Sequence, residues 1–178
     1  MTVIKEANTT TEVVKTRGFE EVVTAFRTAF ETFTDEKKGK HKFPIAIKLP
    51  TRSDPRSAGY DFYVPKDIRL LPMQKTIVST DVKAYMQQDE VLQLYIRSSL
   101  AIKSGLMLSN NVGIVDSSYY SNEGNDGNIG ISLVNTTGLT VELKAGDRFA
   151  QGIFIKYLIA DEDTAEGVRT GGFGSSGK

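Results

Sequence analysis

The apolar positions of this chain follow two different periods. Phe19, Val22, Val23, Phe26, Phe30 and Phe33 recur at intervals of three and four, the spacing that lays one apolar stripe along a helix. The pattern predicts an amphipathic helix within an N-terminal helical extension at residues 17–42, closed by the polar stretch from Thr34 to Lys42. Residues 1–16, rich in Thr and charge, read as a poorly ordered terminus.

Beyond that the period becomes two. The runs "KFPIAIKL", "YDFYVP", "TIVSTDVKAYM", "EVLQLYIRSS", "VGIVD", "NIGISLVN" and "LTVELKAGDRFAQGIFIKYLIA" are short, rich in β-branched residues and separated by turn residues. In "LTVELK", Leu139, Val141 and Leu143 face one way and Thr140, Glu142 and Lys144 the other. No helical pattern joins these runs, so they predict an antiparallel sandwich, jelly roll or barrel and not a parallel sheet.

Composition narrows the chemistry. At 178 residues the chain is long enough for one well-buried core. Lys plus Arg and Asp plus Glu are equal at 22 each, which gives no electrostatic case for nucleic acid or an anionic membrane as partner. With no cysteine, disulfides, thiol catalysis and thiolate metal sites are excluded, and a reducing setting, the cytoplasm, is expected. The one histidine, His41, falls in the charged run "DEKKGKHK" and reads as a solvated loop residue. Neither a signal peptide nor an apolar run of transmembrane length is legible.

Three polar clusters interrupt the apolar alternation. In "IRSSLAIKSG", Arg97, Ser98 and Ser99 stand at a strand end. A guanidinium fork with two hydroxyls suits phosphate oxygens; a buried Arg paired with a carboxylate is the equal alternative. In "SNNVGIVDSSYYSNEGNDGNIG", Asp116 closes an apolar run. It is either a general base or the cap of the turn "DSSY". The piece from Ser121 to Asn128 has the composition of a calcium loop but not its ligand order, and reads as a hairpin excursion. In "AGDRFAQGIF", Asp147 and Arg148 read as a surface pair, and Gln151 interrupts a core strand.

The C-terminal "GFGSSGK" nearly spells a phosphate-binding P-loop. No helix follows it and no Ser or Thr comes after the Lys to hold magnesium, so that mechanism fails. Read alone, the tail is a mobile terminus.

The three clusters in this order, with "SAGYDFYV" at 57–64 before them and "RTGGFGSSGK" behind, resemble the five ordered motifs of the homotrimeric dUTPase family, Gram-positive bacterial or phage type. The resemblance covers roughly residues 43–178. It implies a mostly β, antiparallel jelly-roll-like core at 43–165, preceded here by the N-terminal helix, and a mobile lid at 166–178. It also implies hydrolysis of dUTP to dUMP and pyrophosphate, which limits uracil incorporation into DNA and supplies dUMP.

By the same resemblance, Asp116 matches the carboxylate that activates water against the α-phosphorus. Tyr119 matches the ring under the deoxyribose, with no room for a 2′-hydroxyl. Asn110 matches the amide that reads the uracil edge, with backbone groups near Gly113 and at Gly130 completing a site that a cytosine leaves unpaired. Arg97, Ser98, Ser99 and Gln151 match positions around the phosphates, and Asp61 a supporting carboxylate paired with a basic side chain. Mg2+ is expected on the triphosphate oxygens and waters, with no protein cage. The lid, lent by a neighbouring subunit, would stack Phe173 on uracil, set Arg169 against the γ-phosphate, and ring the phosphates with Gly174, Ser175 and Ser176.

The chain departs from the family pattern in three places. The lid is one residue shorter between Arg169 and Phe173 than the common R-G-x-G-G-F-G, the stretch after Tyr119 is longer than in compact members, and the first forty residues lie outside the common core. The nearest rival, the dCTP deaminase group, needs a Glu and an Arg where this chain has Ser132 and Ile102. A nucleotide-sensing module that binds dUTP and a protein partner is the rival of another class; the presence of both Asp116 and Tyr119 argues for catalysis.

Overall fold

The computed structural model describes residues 14–28, 30–35 and 39–167. Thirteen strands alternate with turns: β1 (Gly18–Glu21), β2 (Phe30–Asp35), β3 (Gly39–Pro44), β4 (Tyr60–Tyr63), β5 (Ile68–Leu70), β6 (Lys75–Ser79), β7 (Val82–Tyr85), β8 (Glu90–Ile96), β9 (Leu106–Leu108), β10 (Gly113–Asp116), β11 (Gly130–Asn135), β12 (Val141–Leu143) and β13 (Arg148–Lys156). Among the described residues the one α-helix is α1 (Ser98–Ser104), and its C-cap Gly105 takes the left-handed conformation that lets the chain turn straight into β9.

Every strand pairing is antiparallel. A four-stranded sheet runs β10-β8-β13-β4, a three-stranded sheet runs β6-β11-β9, and three two-stranded ribbons join β1 to β7, β12 to β5 and β2 to β3. Their inner faces meet in one apolar cluster. Phe62, Leu92, Leu94, Phe149 and Ala150 come from the larger sheet, and Val78, Leu106, Leu108, Ile131 and Leu133 from the smaller. The period of two is what lets each strand give one face to this core. In β11 burial alternates residue by residue from Gly130 to Asn135. In β12, Leu143 is buried and Glu142 exposed as the alternation predicts, while Leu139 falls before the strand and is exposed.

The N-terminal helix predicted for 17–42 is not what forms. Residues Gly18–Glu21 are a strand paired with β7, Thr24–Phe26 a single 3-10 turn, and β2 and β3 a hairpin that includes His41, opposite Phe33, in a strand and not a loop. The apolar residues that suggested a helix are used differently. Phe19 packs its ring 5.3 Å from those of Tyr60 and Phe154, Val22 is fully buried, and Val23 is half exposed. A free backbone edge on β7 offered four residue pairings. Aromatic and β-branched residues suit that pleated surface better than a short helix.

Charge fastens this N-terminal strap. Arg17 Nε lies 3.0 Å from both oxygens of Glu90, whose side chain is buried, and the Gln87 amide also donates to Glu90. The Arg17 guanidinium holds the Glu90 carboxyl below the ordinary carboxylate range. Lys15 and then the Tyr120 hydroxyl do the same for Glu20. Carboxyls depressed in the folded state stabilise it above their unfolded pKa and lose that contribution as pH falls through the folded value. The thermal midpoint should therefore hold down to about pH 5 and fall below about pH 4. Glu90→Gln should flatten that fall in a pH series of melting curves.

Residues 1–13, 29, 36–38 and 168–178, and with them all of the expected lid beyond Gly167, lie outside the described residues. Among the described residues no helix is long and apolar enough to cross a membrane.

Candidate active site

The first cluster forms where β8 leaves the larger sheet. Arg97 follows β8 directly, and Ser98 and Ser99 open α1 with exposed side chains. Arg97 Nε lies 3.0 Å from Asp61 Oδ1 on β4, and Arg148 Nη1 lies 3.1 Å from the other oxygen. Asp61 is buried and also accepts from Ser53 Oγ at 3.3 Å. A carboxylate between two guanidiniums is an electrostatically sound way to bury it, and the pairing fixes Arg97 at the strand end. Gln151 stands on β13 between Tyr95 on β8 and Asp61 on β4, which places it in this cluster.

Arg148 was missed. The sequence suggested a surface pair with Asp147, but Arg148 turns to Asp61, while Asp147 Oδ2 accepts from the Lys144 amide at 2.8 Å. Asp147 precedes β13 and is taken up by the turn at Lys144, which leaves Arg148, the first residue of the strand, to a partner across the sheet.

The second cluster is a cleft between the two sheets. A space of about 240 Å³ is lined by Asn110, Gly113, Gly130, Ser109, Ser132 and Lys75 with apolar Ile77, Leu94, Leu108 and Ile131. An adjoining compartment of about 110 Å³ shares Leu94, Asn110, Gly113 and Gly130 and adds Tyr119, Ile114, Val115 and Ile129. Gly113 lets β10 lie close to β8 here, because a Cβ there would stand 3.0 Å from the Leu94 Cβ. Lys75, Ser109 and Leu94 are lining residues that sequence reasoning did not find. Their alternation looks like that of any strand, and only the sheet-to-sheet packing makes them neighbours.

Asp116 ends β10, next to Val115 of the cleft, with an exposed side chain; it makes no side-chain cap bond to the turn that follows. Tyr119 is buried at the end of that 3-10 turn. Its hydroxyl donates to the Asn128 carbonyl at 3.0 Å and accepts from Asn125 Nδ2 at 2.7 Å.

The segment from Ser121 to Asn128, expected to be a hairpin excursion, is instead a folded-in polar knot. The strands on either side of it, β10 and β11, belong to different sheets. Asn122, Asp126 and Asn128 are buried. Lys83 Nζ meets both oxygens of Asp126 at 3.0 Å, and the Asp81 amide donates to Asn128 Oδ1 at 3.0 Å. Gly127, at φ +76°, is needed here: a Cβ would sit 2.8 Å from the Tyr119 carbonyl oxygen. Partners supplied by β7 and by Asp81 just before it let this many polar groups leave water.

The two clusters stand far apart in one chain. Asp116 pairs with Val91 at the start of β8, whereas Arg97 lies beyond its other end. At about 3.3 Å per residue the strand separates them by roughly 20 Å. The structure thus brings together Asn110, Gly113, Tyr119 and Gly130 beside Asp116, and separately Asp61, Arg97, Ser98, Ser99 and Gln151. Arg169, Phe173, Gly174, Ser175 and Ser176 lie outside the described residues. Among the described residues no three His, Cys, Asp or Glu side chains converge to hold a metal ion.

A family model described as dUTPase matches residues 46–177. The deoxyuridine 5'-triphosphate nucleotidohydrolase of Lactococcus lactis is 39% identical over 166 residues, 92% of this chain and 99% of that protein. The crystal structure of the Streptococcus mutans dUTPase is 40% identical and superposes with a TM-score of 0.65, covering 81% of this chain and 98% of that one. A dUTPase of phage φ11 of S. aureus, in which a structural Mg(II) ion is coordinated, is 21% identical with a TM-score of 0.57 over 79% of this chain and 98% of that one. At that identity the likeness is one of fold alone.

Proposed function

The chain belongs to the dUTPase family, and from that membership we propose that it hydrolyses dUTP to dUMP and pyrophosphate at a site assembled from more than one subunit. The observation that carries the shared site is the separation of roughly 20 Å along β8 between Asp116 and Arg97. A triphosphate nucleotide held by both needs them close. A second copy supplies the missing half without distorting either sheet. The smaller sheet favours such assembly, since Ile77 and Met107 are exposed large apolar side chains on β6 and β9, the strands that flank β11. In this reading the two packed sheets are the family's jelly roll, the assembly is a homotrimer, and residues 166–178 close the site from a neighbour.

Each half has its own task. Uracil enters the cleft, where Asn110 and the backbone at Gly113 and Gly130 meet its edge, and Tyr119 lies under the deoxyribose. Asp116 accepts a proton from water as the water oxygen bonds to the α-phosphorus. The bond from that phosphorus to the α,β-bridging oxygen breaks, and pyrophosphate leaves with the electron pair. Arg97, Ser98, Ser99 and Gln151 of another subunit hold the phosphates, with Arg97 aimed by Asp61. Phosphoryl transfer needs positioning and charge neutralisation above all, which such a set supplies. From the lid, Phe173 would cover the base, Arg169 would meet the γ-phosphate, and Gly174, Ser175 and Ser176 would ring the rest. When bound, Mg2+ would supply further neutralisation of the triphosphate charge beside Arg97.

Deamination finds no support. Ser132 shares a hydrogen bond of 2.7 Å with Ser109, and Ile102 is exposed on α1; neither supplies an acid or base. The test is pyrophosphate release from dUTP, dCTP, dTTP and UTP in the presence of Mg2+. Release is expected from dUTP and not from the other three. Binding of dUTP without release would favour a nucleotide sensor over an enzyme.

A further inference from the structure

Residues 14–28 precede the stretch that the family model matches, which begins at residue 46, yet they reach the support of the cleft. The Val23 amide donates to Asp126 Oδ2 at 2.8 Å, and Asn128 Nδ2 donates to the Phe26 carbonyl at 3.2 Å. Thr28 is held from the other side, its amide and hydroxyl both donating to Asp81 Oδ1 at 3.0 Å, and Asp81 in turn bonds Asn128. Asn128 is the residue whose carbonyl receives the Tyr119 hydroxyl. Three or fewer hydrogen bonds thus separate the N-terminal strap from the phenol ring. Tyr119, Asp126 and Asn128 are 5%, 8% and 5% exposed, so their bonds are made away from water and hold geometry firmly.

We infer that this strap is a specificity-determining support: it fixes the height of the Tyr119 ring and so strengthens rejection of a 2′-hydroxyl. The inference rests on the reading of Tyr119 as the floor of the deoxyribose. Steric exclusion of one oxygen atom works only against a floor that cannot retreat. The ring is fastened by its hydroxyl to Asn125 and Asn128, and the segment carrying both is fastened to Val23, Phe26 and Asp81. Val23 and Asn125 touch no substrate; they are positioning residues.

Two variants test this in the full-length chain. Val23 has φ −61°, which suits proline, so Val23→Pro removes the amide that Asp126 accepts while keeping the backbone course. Asn125→Ala removes the donor to the Tyr119 hydroxyl. For each, kcat/KM would be measured with dUTP and with UTP, and folding checked by melting curves. The dUTP-to-UTP ratio is expected to fall about fivefold for each lost hydrogen bond, through faster UTP turnover at nearly unchanged KM for dUTP. Tyr119→Phe, which keeps the ring and loses its tether, should lower the dUTP-to-UTP ratio as Asn125→Ala does, whatever it does to KM for dUTP, and decides the matter if either of the others fails to fold. An unchanged ratio in the folded variants overturns the inference. Tyr119→Ala separates the two levels: if it collapses the ratio while the tether variants do not, the floor stands and the strap's role falls. If Tyr119→Ala also leaves the ratio intact, both fall.

Discussion

Asp116→Asn is expected to bind dUTP and to release pyrophosphate about a thousandfold more slowly than the wild type. The substitution keeps size and hydrogen-bonding capacity at the end of β10 and removes only the ability to take a proton from water. The side chain is exposed, so a neutral side chain of the same shape should leave folding intact. Equilibrium binding of dUTP would report the intact cleft, and stopped-flow pyrophosphate release the chemistry. A variant that keeps full kcat would place the general base elsewhere. One that loses binding as well would mean that Asp116 holds substrate and does not activate water.

Subunit mixing tests the shared site with an equally large effect. Arg97→Ala should by itself lower activity about a hundredfold or more by leaving phosphate charge uncompensated, while Arg148 continues to neutralise Asp61. Asp116→Asn and Arg97→Ala are then each nearly inactive. Unfolded together in equal amounts and refolded, they should recover activity. A site that draws Asp116 from one subunit and Arg97 from another is intact in about one case in four under random assortment, so about a quarter of wild-type activity is expected. If both residues served one chain's own site, every site would carry one defect and the mixture would stay inactive. Their placement at opposite ends of β8 makes recovery the expected result.

Much of this was legible in the sequence because it is written locally. Alternation of period two depends only on which residues face a core, so the runs that became β4, β8, β11 and β13 could be read without knowing their partners. The motif residues are likewise short-range: Arg97, Ser98 and Ser99 are adjacent, and Asp116 and Tyr119 share one turn. The order of these groups along the chain pointed to dUTP chemistry before any of them had a position in space.

The N-terminus shows where local reading ends. Phe19, Val22, Val23 and Phe26 satisfy a helical stripe, but the open edge of β7 gave the segment a better use. The partner of Arg148, the folding-in of residues 121–128 and the distance from Asp116 to Arg97 likewise depend on groups far away in sequence. Sequence alone determined the strand-rich core, the candidate chemistry and its family. Tertiary structure decided which strands adjoin, which carboxylate each cation neutralises, and how far apart Asp116 and Arg97 stand. The physical reason is that burying an apolar face rewards any partner surface of the right pattern. Buried polar groups accept only a partner at bonding distance, and that partner is fixed when the sheets pack.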